Sequence, residues 1–326
     1  MNPGRSYRIL LGLLLLAQSA AAALTVRSNG RDMSDSLLCA IARYDTVVLD
    51  GAAGDFIVGH TIVLRHMRHK TLMGINKACL RTRFCLTNEI RVMLDSADVP
   101  AYSTAGNGGV LSNGQKVHEE RERVTRQLLI DRFQDDHESF RSSGCIQVSH
   151  CRNITIRGLR LQGPGAVDVS GNDLLGIDHS MYITVDSCVL MDGMDGNLDI
   201  TSQSDSIIIS HCYFGYSEMS YDHMNSNLVG AADRVEADRG KLHVTYAYCT
   251  WGEGCRQRMP MVRFGTIYLD HCRWECHTPH PVIDARREAT VIIESACLGK
   301  GVQIPYRTCE SSRVEWRQKY FQSGAA

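Results

Sequence analysis

IIISHCYF, Ile207 to Phe214, is the stretch on which the fold turns, because the chain carries it again in five altered copies. ITIRGLRL begins at Ile154, ITVDSCVL at Ile183, VTYAYCTW at Val244, IYLDHCRW at Ile267 and VIIESACL at Val291. Each run is short, β-branched and alternating, as a strand that turns one face to a core must be. The six starts are 29, 24, 37, 23 and 24 residues apart, a spacing that belongs to solenoids. One such unit cannot bury its own apolar face. Coils stacked about 4.8 Å apart can, and they share one continuous core. The sixth position of the runs holds Leu159, Cys188, Cys212, Cys249, Cys272 and Ala296. Stacking predicts one inward ladder at these positions, its thiols serving as small apolar packing rather than as nucleophiles.

Upstream, DMSDSLLCAIARY (Asp32 to Tyr44) predicts a short helix, capped by Ser34 or Asp35, with Leu37, Leu38 and Ile41 on its apolar side. At the open end of a solenoid it would cover exposed strand edges. TVVLDG, FIVGHTIVL and KTLMGI read as early strands. Residues 95–142 break the pattern. They are polar and Gly-rich, then highly charged in HEERERVTRQLLIDRFQDDHESF, and read as an inserted loop with a surface helix whose charges are solvated.

The N-terminus is MNPGRSYRILLGLLLLAQSAAAALTV. Arg5 and Arg8 precede an apolar run from Ile9 to Ala17, and small residues follow from Ala20 to Ala23. This is the three-part pattern of a secretory signal peptide, assigned to residues 1–23, with one exported domain over 24–326. The apolar run is shorter than the ~20 residues of a membrane span, and no later segment is long enough. Lys and Arg total 35 against 36 Asp and Glu, so no whole-surface basic field exists to hold nucleic acid. The expected product is a secreted monomer with neither nucleic-acid nor membrane partners. Thirteen cysteines in such a chain predict some disulfides, with at least one thiol left over. No CxxC pair occurs, and Cys145/Cys151 and Cys272/Cys276 lack a matching His set, which argues against structural zinc.

Two segments carry chemistry. RQRMPMVRFG, Arg256 to Gly265, crowds three arginines around Pro260; it is either a solvated basic face or a site for an acidic substrate. MDGMDGNLDIT places Asp192, Asp195 and Asp199 around Gly193 and Gly196, and GNDLLGIDHS adds Asp173 and Asp178. Hard cations such as Ca²⁺ take several carboxylate oxygens, but Asp-rich turns also occur without one. On a straight strand Asp195 and Asp199 would lie ~13 Å apart, so a shared ion needs a bend, which Gly196 permits.

DGNLDIT, then IIISHCYF, then KLHVTYAYCTWGEGCRQRMPMVRFGTIYLDHC together resemble the pectate lyase family in order and spacing, with HKTLMGI and NITIRGLRL similar to its earlier strands. The likeness runs from about residue 24 to 300, with 95–142 as an insertion. It implies an all-β fold, a right-handed parallel β-helix, closed by the short N-terminal helix. It implies Ca²⁺ held by Asp173, Asp195 and Asp199, Arg258 as the Brønsted base and Arg263 as the group that binds the substrate carboxylate. Pro260 would aim both arginines at the cleft. The implied reaction is β-elimination in polygalacturonate, where neutralising the C6 carboxylate makes the C5 proton removable. Arg256 matches no functional position and reads as a solvated charge. His211 and His271 share a repeat position and read as stacked solenoid histidines.

Two departures stand out. Asn225, in NSNLVG, occupies the position of a substrate-binding Lys, and Gly171 that of a further acidic ligand seen in some members. They keep two alternatives open: a pectin lyase acting on methyl-esterified polymer, which would not need the three aspartates, and a catalytically silent β-helix that binds acidic glycans.

Overall fold

The structure, a computed structural model, describes residues 23–96, 143–167, 172–232, 236–309, 311–317 and 321–322. Most of the segment read as a signal peptide (residues 1–22), most of the 95–142 segment read as an insertion, and Gly171 lie outside these residues. The described strands wind into a right-handed parallel β-helix with three sheets of ten, eight and nine strands. The repeat alignment is the observed register. Ile154, Ile183, Ile207, Val244, Ile267 and Val291 stand side by side across the ten-stranded sheet, all but fully buried. Two residues on, Ile156, Val185, Ile209, Tyr246, Leu269 and Ile293 form the next buried row. The residues between these rows face outward, as the two-residue period of a strand demands.

The corners are sharp because single residues adopt the left-handed conformation. After the ten-stranded sheet these are Ser187, His211, Tyr248 and His271, with φ of 54°, 51°, 55° and 51°. Their side chains project from the corner and stack: His211 lies 5.1 Å from Tyr248, and Tyr248 lies 4.9 Å from His271. The stack expected of the two histidines thus forms with a tyrosine between them. Stacking contacts of this kind offset part of the cost of left-handed backbone at residues other than glycine.

Helix α1, Ser34–Arg43, buries Leu37, Ala40 and Ile41 on the core, with Leu38 partly covered. Neither Ser34 nor Asp35 caps it. Asp32 Oδ1 accepts from the Ser34 N–H at 3.0 Å and the Ser34 hydroxyl at 2.7 Å, and also from Gly59 N–H at 3.0 Å. Asp32 is therefore both a turn acceptor and a tie to the first coil. FIVGHTIVL is two strands, Phe56–Val58 and Ile62–Arg65, in different sheets. A corner at Gly59 and His60 separates them, which an unbroken apolar pattern conceals. A second helix, α2, Asn88–Ser96, leads into the insertion and packs Ile90 and Leu94 on Phe84, Leu86, Val167 and Met194. Among the described residues no helix is long and apolar enough to cross a membrane.

The disulfide expectation is corrected: all thirteen cysteines are free. Cys188, Cys212, Cys249 and Cys272 form the predicted inward ladder and are buried. Their thiols meet main-chain carbonyls, Cys212 Sγ at 3.2 Å from Ser210 O and Cys249 Sγ at 3.4 Å from Ile209 O. Neighbouring rungs point the same way about 4.8 Å apart, whereas a disulfide needs Cβ atoms about 3.8 Å apart and a near-right-angle torsion. Burial pushes the Cys272 thiol up to about 12, which leaves it without thiolate chemistry.

The aromatic row inside the core sets much of the stability. Trp251 is fully buried, 5.0 Å from Trp274 and 5.6 Å from Phe214, and donates its indole N–H to Asn227 Oδ1 at 2.7 Å. Trp251→Ala should destabilise the protein by about 3–5 kcal/mol, read as a lowered urea midpoint. A shift under about 1 kcal/mol would show that the coil collapses around the gap.

Candidate active site

The outer face of the eight-stranded sheet carries the acidic and basic motifs. Asp199 belongs to strand Leu198–Thr201, and because Leu198 and Ile200 are buried, Asp199 points outward. Asp173 precedes the neighbouring strand Leu175–Asp178, where Leu174 N–H donates to Gly196 O at 2.9 Å. This places Asp173 beside Gly196, and the two carboxyl groups of Asp173 and Asp199 hydrogen-bond to each other. Gly196 leaves room for both carboxyls: a Cβ would lie 2.6 Å from Asp173 Oδ1, displacing that side chain, and 3.4 Å from Asp199 Oδ1.

Asp195 sits at the turn just before, near enough for its charge to act on both. Its own carboxylate is engaged by His223, Nε2 to Oδ1 at 2.8 Å. Asp192 has a different task. It is buried, and its carboxylate accepts from Gln162 Nε2 at 2.8 Å, Ser217 N–H at 2.6 Å and the hydroxyls of Ser217 and Ser220 at 2.9 and 3.0 Å. It pins the loop rather than facing the cleft.

Arg258 joins the acidic group. Its carbonyl accepts from Asn227 N–H at 2.6 Å, and its charge favours the ionised forms of Asp173 and Asp199. That is not enough to offset desolvation and crowding. Asp173 is held well above the usual carboxylate range, by burial and by the charges of Asp199 and Asp195. Asp199 is raised to about 7, by burial and by Asp195.

Arg263 ends strand Met261–Arg263 on the same face. Register places Met261 in the row of Asp199 and Leu228, and Arg263 two residues further on. Two strand steps and two residues put its Cα roughly 12 Å from that of Asp199. Its Nη1 donates to Gly230 O at 3.0 Å and sits 3.5 Å from Ala231 O. The five motif residues therefore share one face, with four of them in electrostatic contact and Arg263 at a distance that a sugar unit could span.

Reading the sequence assigned no functional role to His223 or Tyr216. His223 contacts Asn225 as well, Nε2 to Nδ2 at 3.0 Å, and Tyr216 donates its hydroxyl to Asn225 O at 2.5 Å. Asn225 is 8% exposed. It is a locked interior residue, not a chain reaching into the cleft as a lysine would. The signal for His223 was its place two residues before the position already singled out as anomalous.

Residues 137–301 match the family model described as Pectate lyase, just over half of the chain. The chain belongs to the pectate lyase family. "Probable pectate lyase B" of Aspergillus terreus is 34% identical over 152 residues, 44% of this chain and 43% of that protein. "Pectate trisaccharide-lyase" of Thermotoga maritima is 25% identical over 192 residues, 56% of this chain and 50% of that protein. The matched part thus spans half or less of these relatives' lengths. Among solved structures, a pectate lyase from Paenibacillus sp. 0602 superposes with a TM-score of 0.63 at 11% identity, covering 94% of this chain and 79% of that one. At that identity the likeness shows the shared fold of the family.

The raised carboxylates give a signed pH dependence. An unfolded Asp titrates near 3.9, while the folded state holds Asp173 and Asp199 protons to higher pH. In that window the folded state binds more protons, so stability falls as pH rises from about 4 to about 7. Melting in chelator at pH 4.5 and 7.5 should show this fall, and Asp199→Asn should flatten it. An equal slope in the variant would remove these carboxyls as its source.

Proposed function

We propose that this chain is a secreted, Ca²⁺-dependent pectate lyase, a polysaccharide lyase that cleaves de-esterified (1→4)-α-D-galacturonan by β-elimination. One observation carries the reading: Asp173, Asp195 and Asp199 lie within electrostatic reach of one another and of Arg258 on a single outer face. Like charges crowded in this way favour a bound cation. The donors are all hard oxygens, the class Ca²⁺ takes, and Gly196 leaves the space between Asp173 and Asp199 clear. Asp173, Asp195 and Asp199 would hold the ion, Asp195 by leaving His223.

When bound, Ca²⁺ supplies electrophilic neutralisation of a uronate carboxylate. Arg263 adds a second positive group to that carboxylate, in the planar geometry guanidinium is suited to. The C5 proton beside it is then acidic enough to leave. Arg258 accepts the proton, the C4–O bond breaks with its electron pair on oxygen, and the double bond forms between C4 and C5. A guanidinium must lose a proton before it can act so. Asp173 and Asp199 are the anions that oppose this loss, and neutralising their charge removes the opposition. The leader-like N-terminus supports export.

A second reading, a silent glycan-binding β-helix, is favoured by Asn225, which brings no cation to the cleft. Polygalacturonate with Ca²⁺ should yield unsaturated uronide absorbance that EDTA abolishes. Binding without product would establish the silent module, and EDTA-insensitive product from methyl-esterified pectin would establish a pectin lyase. Arg258→Ala should lower turnover by about 10²–10⁴-fold with an unchanged melting temperature; retained turnover would rule it out as the base. Gly196→Ala displaces only the Asp173 carboxylate, so Ca²⁺ affinity measured by calorimetry should drop about tenfold or more while chelator-state melting stays the same. Unaltered affinity would place the ion elsewhere.

A further inference from the structure

The eight-stranded sheet also carries a cluster of metal-ligating atoms chemically unlike the three aspartates. Among the described residues, only His150, Asp178 and His179 bring three such atoms within 4.8 Å of one another. His179 Nδ1 is 2.9 Å and His150 Nδ1 is 3.8 Å from Asp178 Oδ1. His150 and His179 are corner residues of adjacent coils, with φ of 54° and 45°. Their rings stack at 4.4 Å with an 11° tilt, and His66 of the preceding coil lies 5.1 Å from His150.

Asp178 is held in place by its neighbours. Gln147 Nε2 donates to its Oδ2 at 2.6 Å, and Ser149 Oγ donates to its Oδ1 at 2.9 Å while also touching His150 Nδ1 at 3.0 Å. Such outer hydrogen bonds orient a ligating carboxylate and imidazole. Elsewhere in the described residues, Asp186, Asp205 and Asp270 each pair with one imidazole, that of His211, His243 and His271. Only Asp178 sits between two. The imidazoles are about two-fifths exposed, so an ion from solvent reaches them without displacing the core.

We propose that His150, Asp178 and His179 form a binding site for a transition dication of the zinc class, separate from the oxygen-only group around Gly196. Two imidazoles and one carboxylate suit Zn²⁺, Ni²⁺ or Cu²⁺ and not Ca²⁺. The metal would sit where the His179 Nδ1 proton now bridges to Asp178, each ring taking its Nε2–H tautomer. Three protein ligands leave a coordination position open to water or a carboxylate. Asp178 pairs with Thr201, and Thr201 lies two residues beyond Asp199 on the same outward face. Its Cα is thus roughly 8 Å from that of Asp199. A filled site would turn one negative charge on this rim of the cleft into one net positive charge.

The test uses the whole chain, stripped with chelator and returned to buffer containing Ca²⁺ so that the oxygen group is satisfied. Zn²⁺ is titrated in a calorimeter, and Co²⁺ is added separately and followed by visible absorption. The wild-type chain should take up one Zn²⁺ that His179→Ala and Asp178→Asn lose, with affinity weakened at least about 100-fold, and Ser149→Ala should weaken it about tenfold. Melting in chelator should match the wild type for His179→Ala, and Ca²⁺ affinity should be unchanged, which separates this site from the one around Asp199. If the Zn²⁺ isotherms of His179→Ala and wild type superimpose, or if the wild type takes up none, the cluster is a hydrogen-bonded corner stack only and the proposal is wrong.

Discussion

Parallel strands stacked in register, about 4.8 Å apart, are the constraint on which the rest of this molecule depends. Register turns residues separated by one coil in sequence into neighbours in space. Inward, it makes rows of isoleucine, valine and leucine and a ladder of thiols. At the corners it makes ring stacks such as His211, Tyr248 and His271. On the outer face it assembles charged groups that no single strand contains, because Asp173 precedes the strand that pairs with that of Asp199, and Arg258 and Arg263 come from a later coil.

That same constraint creates an electrostatic conflict. The backbone brings Asp173 and Asp199 into hydrogen-bond contact whether or not their charges are balanced, and Asp195 adds a third. Arg258 offsets part of the repulsion, and protonation of the pair takes up the rest in the absence of a cation. A site that holds protons on its carboxyls well above the usual carboxylate range gains from positive charge. Crowding of this sort is costly, and stable folds retain it where binding uses it.

Asn225 shows how a departure in a motif can be structural as well as chemical. Its main-chain carbonyl accepts from the Tyr216 hydroxyl, and its side-chain amide lies beside His223, whose Nε2 pairs with Asp195. A long cationic side chain at this position would have to leave that buried environment. Asn225 is thus packed against the imidazole that pairs with Asp195.

Much of this was legible in the linear chain. The period of IIISHCYF and its copies pointed to a stacked solenoid, the family resemblance to its parallel β-helix form, and the sixth positions to the thiol ladder. What stayed hidden depended on geometry between coils. FIVGHTIVL looks continuous, yet it turns at Gly59 and His60 because the coil must close there. Thirteen cysteines suggested disulfides, yet parallel rungs hold the ladder thiols at the wrong separation and angle. The pairing of Asp195 with His223 and of Asp178 with His150 joins residues about one coil apart. Local pattern determines which side chains point outward. Only the closed path of each coil decides which of them meet, since that depends on loop lengths that hydrophobic alternation does not encode.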